Sequence, residues 1–257
     1  MLEIHEMLDR FELLYPNNED ISDLRKLVLD QNIWSLWRIL GKFESTRFVD
    51  AMKYLESNNI EFDKDCFSRG QLESKKWLVD TVRDLDVDLG IVYLCGGWYG
   101  TLATMIFESS ISVDAIRSFD IDPDVVEIAE IFNKPWFIDN WKFKAITQDI
   151  HSINYATNSW SMWSSKNNRM SNPITESPNT VINTSCEHIT NFDEWYGKIP
   201  NGKLVILQSN NYFDVPEHTN CSKSISEFAN ITPMTTVLYE GELQLEKYTR
   251  FMRIGYR

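Results

Sequence analysis

Ile91-Val92-Tyr93-Leu94-Cys95-Gly96-Gly97-Trp98-Tyr99-Gly100-Thr101 is the stretch on which the fold turns. A short apolar strand runs into a glycine-rich turn, and a helix follows from Thr101 to about Glu108. Glycines between a strand and a helix let backbone approach a ligand closely, and the start of the helix attracts polar groups. A second apolar run, Ala115-Ile-Arg-Ser-Phe-Asp120, ends in an acid. Asp122-Pro123 then opens another helix, with proline where its missing N–H is harmless. A carboxylate at the end of the second strand, about twenty residues past the glycines, can accept hydrogen bonds from both hydroxyls of a ribose.

Outward from this unit the pattern repeats. Strands are expected at 141–148, 180–184 and 203–208, and a hairpin at 235–243 and 248–256. Strands spaced by helices imply βαβ units and a parallel sheet. The expectation is an α/β, Rossmann-like, seven-stranded and mostly parallel sheet. A C-terminal antiparallel hairpin closes it, and a small N-terminal helical segment precedes it. That segment is placed at 1–65 and the sheet domain at 66–257. Apolar residues recur at helical spacing over 21–29, at Trp34, Trp37 and Leu40, and at Phe48, Met52 and Leu55, with Asn58-Asn59 as a stop. A turn at 68–70 leads into a helix to about Leu85, with Leu72, Leu78, Val79 and Val82 facing inward. Residues 154–179 are rich in Ser and Asn and are expected to form a long loop or lid. Trp160 and Trp163 within it either cover a site or pin the loop down.

Composition narrows the function. The 257 residues carry a net charge of −13, which repels a phosphate backbone and disfavours nucleic-acid binding. No apolar run is long enough to cross a membrane, and the acidic start does not read as a secretory signal. Cys66, Cys95, Cys186 and Cys221 form no C-x-x-C pair, which points to free thiols in a reducing cytoplasm.

Residues from about 70 to 257 resemble a class I S-adenosylmethionine-dependent methyltransferase. Gly96-x-Trp98-x-Gly100 stands where that family has its G-x-G-x-G turn, so the resemblance implies cofactor contacts from Gly96, Gly97, Trp98, Tyr99 and Gly100. Ser118-Phe-Asp-Ile-Asp-Pro matches the second-strand signature, which implies that Asp120 holds the ribose and Ile121 lies against the adenine. Thr147-Gln-Asp149-Ile matches the third-strand motif, whose acid approaches the adenine amino group. The chain departs from the family in two places. Leu94 and Cys95 stand where an acid is usual, and Trp98 replaces the central glycine. The methionine end of the cofactor is therefore expected to be held differently, with Gln71, Ser74 and Lys75 as candidates for its carboxylate and amine.

Three of the four histidines follow expected strand ends: His151, His188 and His218. Ligands of open α/β sheets lie outside these ends. Methyl transfer needs an aligned acceptor and a lone pair freed of its proton. His188 beside Glu187 is the first candidate for that task, with Asn183 and Asn210 positioning the acceptor and His151, Tyr212 and His218 binding it. A metal held by the three histidines and a carboxylate is the other role weighed. No fixed spacing supports it, so no metal is assigned. Trp98, Tyr99, Trp160, Trp163 and Tyr212 either cage a cation or pack. The expected activity is methyl transfer from S-adenosylmethionine to a small molecule or protein side chain. Neither an Asn/Asp-Pro-Pro-aromatic motif nor a Pro-Cys motif is present, which disfavours methylation of DNA bases. Two alternatives stay open. One is aminocarboxypropyl transfer, as in nicotianamine synthase-like enzymes, which share the layout. The other is a non-catalytic cofactor-binding module.

Overall fold

The computed structural model describes residues 47–161, 163, 164 and 168–257, with isolated residues 19, 22, 25 and 26. The chain divides into two compact units, residues 1–62 and 63–257. Most of the expected helix at 21–29, and all of Trp34, Trp37 and Leu40, lie outside the described residues. In the first unit, α1 (Arg47–Ser57) buries Met52 and Leu55. It stops where Asn59 turns left-handed at φ 52°. The Asn58 amide donates to the Tyr54 carbonyl there, satisfying one of the groups a helix end leaves open.

In the second unit, α2 (Arg69–Leu85) starts at Ser68, whose hydroxyl accepts from the Gln71 N–H, and buries Leu78, Val79 and Val82. Alternation of strand and helix follows: β1 (Ile91–Cys95), α3 (Thr101–Phe107), β2 (Ala115–Asp120), α4 (Val125–Phe132), α5 (Lys134–Ile138) and β3 (Phe143–Thr147). The third strand starts later than the sequence suggests, because Asn140 and Trp141 both take left-handed turn conformations. After the 154–179 segment come β8 (Thr180–Asn183), α6 (Phe192–Gly197), β9 (Leu204–Asn210), α7 (Ile225–Ile231), β10 (Thr236–Gln244) and β11 (Thr249–Tyr256).

The seven strands form one sheet in the order β10-β11-β9-β8-β1-β2-β3. β9, β8, β1, β2 and β3 run parallel, and β11 pairs antiparallel with both β9 and β10. Successive strand residues point to opposite faces, and the core splits accordingly. Val92, Leu94, Ile182, Ile206 and Ile254 pack on one face with Leu78 and Val82 of α2. Tyr93, Cys95, Val181, Val205, Leu207 and Phe251 pack on the other with Trp195 and Phe228. Burial on both faces explains why these strands read as continuous apolar runs. No helix among the described residues is long and apolar enough to cross a membrane.

Residues 154–179 contain structure that the Ser/Asn-rich sequence hides. β4 (Asn158–Trp160) pairs with β7 (Ile174–Glu176), and β5 (Trp163–Ser164) with β6 (Arg169–Met170). The Trp160 indole N–H donates to Glu176 at 2.9 Å, and its ring lies 4.8 Å from the Arg117 guanidinium. Arg117 in turn bonds both oxygens of Glu176. Trp160 therefore pins the segment to β2. Lys203 and Asn179 tie the end of the segment to the amino ends of the strands.

Candidate functional site

The site forms at the carboxyl ends of the parallel strands. Gly96 and Gly97 donate their N–H groups to the Phe119 carbonyl, and Gly96 and Gly100 both sit at φ 66°. A Cβ on Gly97 would lie 1.9 Å from the Ser118 hydroxyl, so only glycine fits there. Trp98 adopts φ 47°, a conformation that costs a non-glycine residue about 1–3 kcal/mol. Two contacts hold it. Its N–H donates to Asp120 Oδ2 at 2.8 Å, and its ring stacks on Tyr99 at 4.9 Å. Asp120 Oδ1 accepts from the Asp122 N–H at 3.1 Å. The turn and the second strand thus fix this carboxylate from both sides.

Asp120 lines a cleft of about 570 Å³ together with Gly96, Trp98, Ile121, Asp149 and His151. Ile121 is 72% exposed, an apolar side chain left on the cleft wall. Asp149 caps a 3-10 turn, its Oδ1 accepting from the His151 N–H at 2.8 Å. That leaves Oδ2 as the oxygen open to a ligand. Tyr99 is buried, and its hydroxyl accepts from the Asp63 N–H at 3.2 Å, so it supports Trp98 from below. No described residue of 154–179 lines this cleft or the cavity beside it.

Behind the glycine turn a small pocket is lined by Gln71, Lys75, Gly97, Trp98 and Ser185. Lys75 Nζ donates to Gln71 Oε1. Burial, helped by the charge of Arg250, lowers the Lys75 ammonium to about 7. Ser74 is not available to a ligand: its hydroxyl donates back to the Gln71 carbonyl, and its own carbonyl is taken by Gln208.

A second cavity of about 500 Å³ opens beside the cleft, walled by Glu187, His188, Asn210, Tyr212, His218 and Arg250. Asp65, Gln71, Ser185 and His188 line both spaces, so the two meet at these residues. Glu187 is buried, and Oε1 accepts from Asn210 at 2.6 Å and Arg250 at 3.2 Å. It does not orient His188 by a hydrogen bond, as the sequence suggested. The His188 ring instead meets His218 edge-on at 4.5 Å. The His188 pKa lies below the usual histidine value, chiefly through desolvation, against the opposing pull of Glu187. His218 Nδ1 bonds the Tyr212 carbonyl at 2.6 Å, and the Tyr212 ring stacks on Tyr248 at 5.4 Å.

Two residues named from the sequence stand elsewhere. Asn183 is fully buried within β8, and its Oδ1 accepts from the Ser185 N–H at 2.8 Å. The chain leaves the sheet only after it, so its side chain shapes the turn and lines neither space. His151 lines the first cleft, as His188 does, whereas His218 lines the second cavity. Asn210 reaches the cavity wall, but its amide is committed to Glu187. Arg250 escaped the sequence reading, although two arginines, Arg250 and Arg253, in the last strand are a signal. The four thiols are free. Burial pushes Cys66 and Cys95 up to about 12 and Cys221 to about 11, so they stay protonated.

No protein-family model matches the sequence, and no curated protein matches it. Solved structures do. The N-methyltransferase NodS from Bradyrhizobium japonicum WM9, in complex with S-adenosyl-L-homocysteine, superposes with a TM-score of 0.55 at 10% identity, over 80% of this chain and 97% of that one. The chain has the class I methyltransferase fold. A Galdieria sulphuraria protein, provisionally described as a sarcosine dimethylglycine methyltransferase, matches with a TM-score of 0.50 at 11% identity, over 80% of this chain and 97% of that one. The small RNA methyltransferase HEN1 matches with a TM-score of 0.51 at 10% identity, over 77% of this chain but 27% of its own.

Proposed function

We propose that the protein is an S-adenosylmethionine-dependent methyltransferase acting on a small molecule or a protein side chain in the reducing cytoplasm. The observation that carries this is Asp120, held by the Trp98 and Asp122 N–H groups at the end of β2, on the wall of a cleft of about 570 Å³. The residues present fit the cofactor. Asp120 accepts from the ribose hydroxyls, Ile121 offers an apolar surface to the adenine, and Asp149 Oδ2 accepts from its amino group. Gly96 and Gly97 let the chain pass closely. Gln71 and Lys75 take the amino-acid arm, where a carboxylate would restore the charge that burial draws from Lys75.

When bound, S-adenosylmethionine supplies a methyl group made electrophilic by its sulfonium. The chain's own task is alignment and proton handling. The second cavity holds the acceptor, and Tyr212 and His218 line its wall. His188, where the spaces meet and with its pKa lowered, keeps a neutral ring that can receive the acceptor's proton. The exposed mixture of Arg69, Glu73, Glu246 and Lys247 around this cavity suits a polar acceptor.

Calorimetric titration of S-adenosylhomocysteine into the full chain tests this, with Asp120→Ala alongside. Saturable binding weakened about 10- to 100-fold by the substitution is expected, the value of a lost charged hydrogen-bond acceptor. A folded chain that binds no adenosyl ligand would rule the proposal out. In turnover assays, S-adenosylhomocysteine as product marks methyl transfer, and methylthioadenosine would contradict it.

A further inference from the structure

We infer that Glu187, His188 and His218 form a binding site for a divalent first-row transition-metal ion. One ligand atom from each lies within 4.8 Å of the others. Metal–ligand bonds of about 2.0–2.2 Å place two ligands at most about 4.4 Å apart, so small side-chain movements close the site on an ion. The three come from distant stretches: the 3-10 turn after β8 supplies two, and the loop after β9 the third. No spacing in the sequence announces them.

An independent observation points to a ligand. Both donors to Glu187 converge on Oε1, from Asn210 at 2.6 Å and Arg250 at 3.2 Å. Oε2 is buried and has no hydrogen-bond partner among the described residues. A carboxylate oxygen left bare inside a protein is costly, and a cation satisfies it. His218 is prepared in the same sense. The Tyr212 carbonyl takes the Nδ1–H of His218 at 2.6 Å, which leaves Nε2 with its lone pair. A backbone carbonyl behind an imidazole, and an amide behind a carboxylate, are outer contacts that orient metal ligands.

The donor set selects the ion. Two imidazoles and a carboxylate suit Mn²⁺, Fe²⁺, Co²⁺ or Zn²⁺. Cys221 is near, but its thiol bonds Asn210 and the Tyr212 carbonyl and is held protonated, so the site stays free of thiolate. Three protein ligands leave positions open, and all three line the cavity of about 500 Å³. A hydroxyl-bearing acceptor bound to the ion there would be acidified and lose its proton to solvent through the open cavity, with His188 then a ligand and not the base. This last role rests on the methyl-transfer proposal, whereas metal binding is read without any cofactor.

The test uses the full chain, free of affinity tag and stripped with chelator. Co²⁺ is titrated by its visible absorption and Mn²⁺ by electron paramagnetic resonance. One ion per chain is expected to bind. His218→Ala and the double change His188→Ala/His218→Ala should weaken binding by at least about 100-fold, beyond the usual loss from an outer contact. His151→Ala, in the neighbouring cleft, should leave it unchanged. Glu187→Gln is less informative because Arg250 loses its partner, and the half-exposed His218 avoids that difficulty. Absence of binding by the folded chain, or binding that survives the double histidine change, would overturn the inference.

Discussion

The cofactor cleft and the acceptor cavity sit side by side at the ends of one sheet, yet they are built differently. The cleft is made by three short stretches, the turn at 96–100, Asp120–Asp122 and Asp149–His151, whose backbone N–H groups fix the two carboxylates across 22, 2 and 2 positions. The cavity is made by side chains that meet from far apart. Arg250 reaches Glu187 across 63 positions, and Asn210 reaches it across 23. Local construction makes the first region robust and readable. Long-range construction makes the second dependent on buried charge.

The largest effect should follow from breaking the cavity's network. Arg250 and Glu187 are 6% and 2% exposed, and Arg250 also bonds the Thr184 carbonyl at 2.6 Å. Arg250→Ala strands a buried carboxylate and should cost about 3–5 kcal/mol in urea unfolding. Little change would mean that Glu187 is hydrated or protonated. Next comes Lys75, between the two regions. Its folded pKa of about 7 lies below the unfolded value of 10.5, so the unfolded state binds more protons between these values. Stability should therefore be greatest above about pH 10, fall by up to ~1.4 kcal/mol per unit as pH drops toward 7, and level off below. Lys75→Met should flatten that slope while weakening S-adenosylhomocysteine. A slope unchanged by the substitution would contradict the burial argument.

In the cleft the expected effects are smaller and steric. Gly97→Ala drives a Cβ into the Ser118 hydroxyl, at about 1–3 kcal/mol. Ser118→Ala added to it should restore much of the loss, since the next contact is 3.2 Å away. Failure of that rescue would show that the turn is constrained by something besides Ser118. Smallest is Trp160→Phe. It removes the indole bond to Glu176 and should cost about 1 kcal/mol in stability without changing S-adenosylhomocysteine affinity. A changed affinity would show that residues 154–179 act on the cofactor cleft.

The same contrast explains what the sequence reveals. The seven strands, the glycine turn and Asp120 at the strand end are legible because apolar periodicity and a short spacing encode them. Asn183 lies within the sheet, because one residue decides whether a side chain sits inside the sheet or beyond its end, and spacing alone does not settle that. The β4–β7 pair is held by Arg117 and Glu176, whose pairing across 59 positions leaves no local trace. The edge-on meeting of His188 with His218 depends on how two loops fold back over the sheet.

The most direct test of the central claim, that two spaces serve two ligands and meet at His188, is a crystal structure of the full chain with S-adenosylhomocysteine. The adenosine should lie between Asp120, Ile121 and Asp149, with the sulfur directed to the junction at Gln71, Ser185 and His188. Adenosine in the second cavity, or a sulfur turned away from His188, would contradict it.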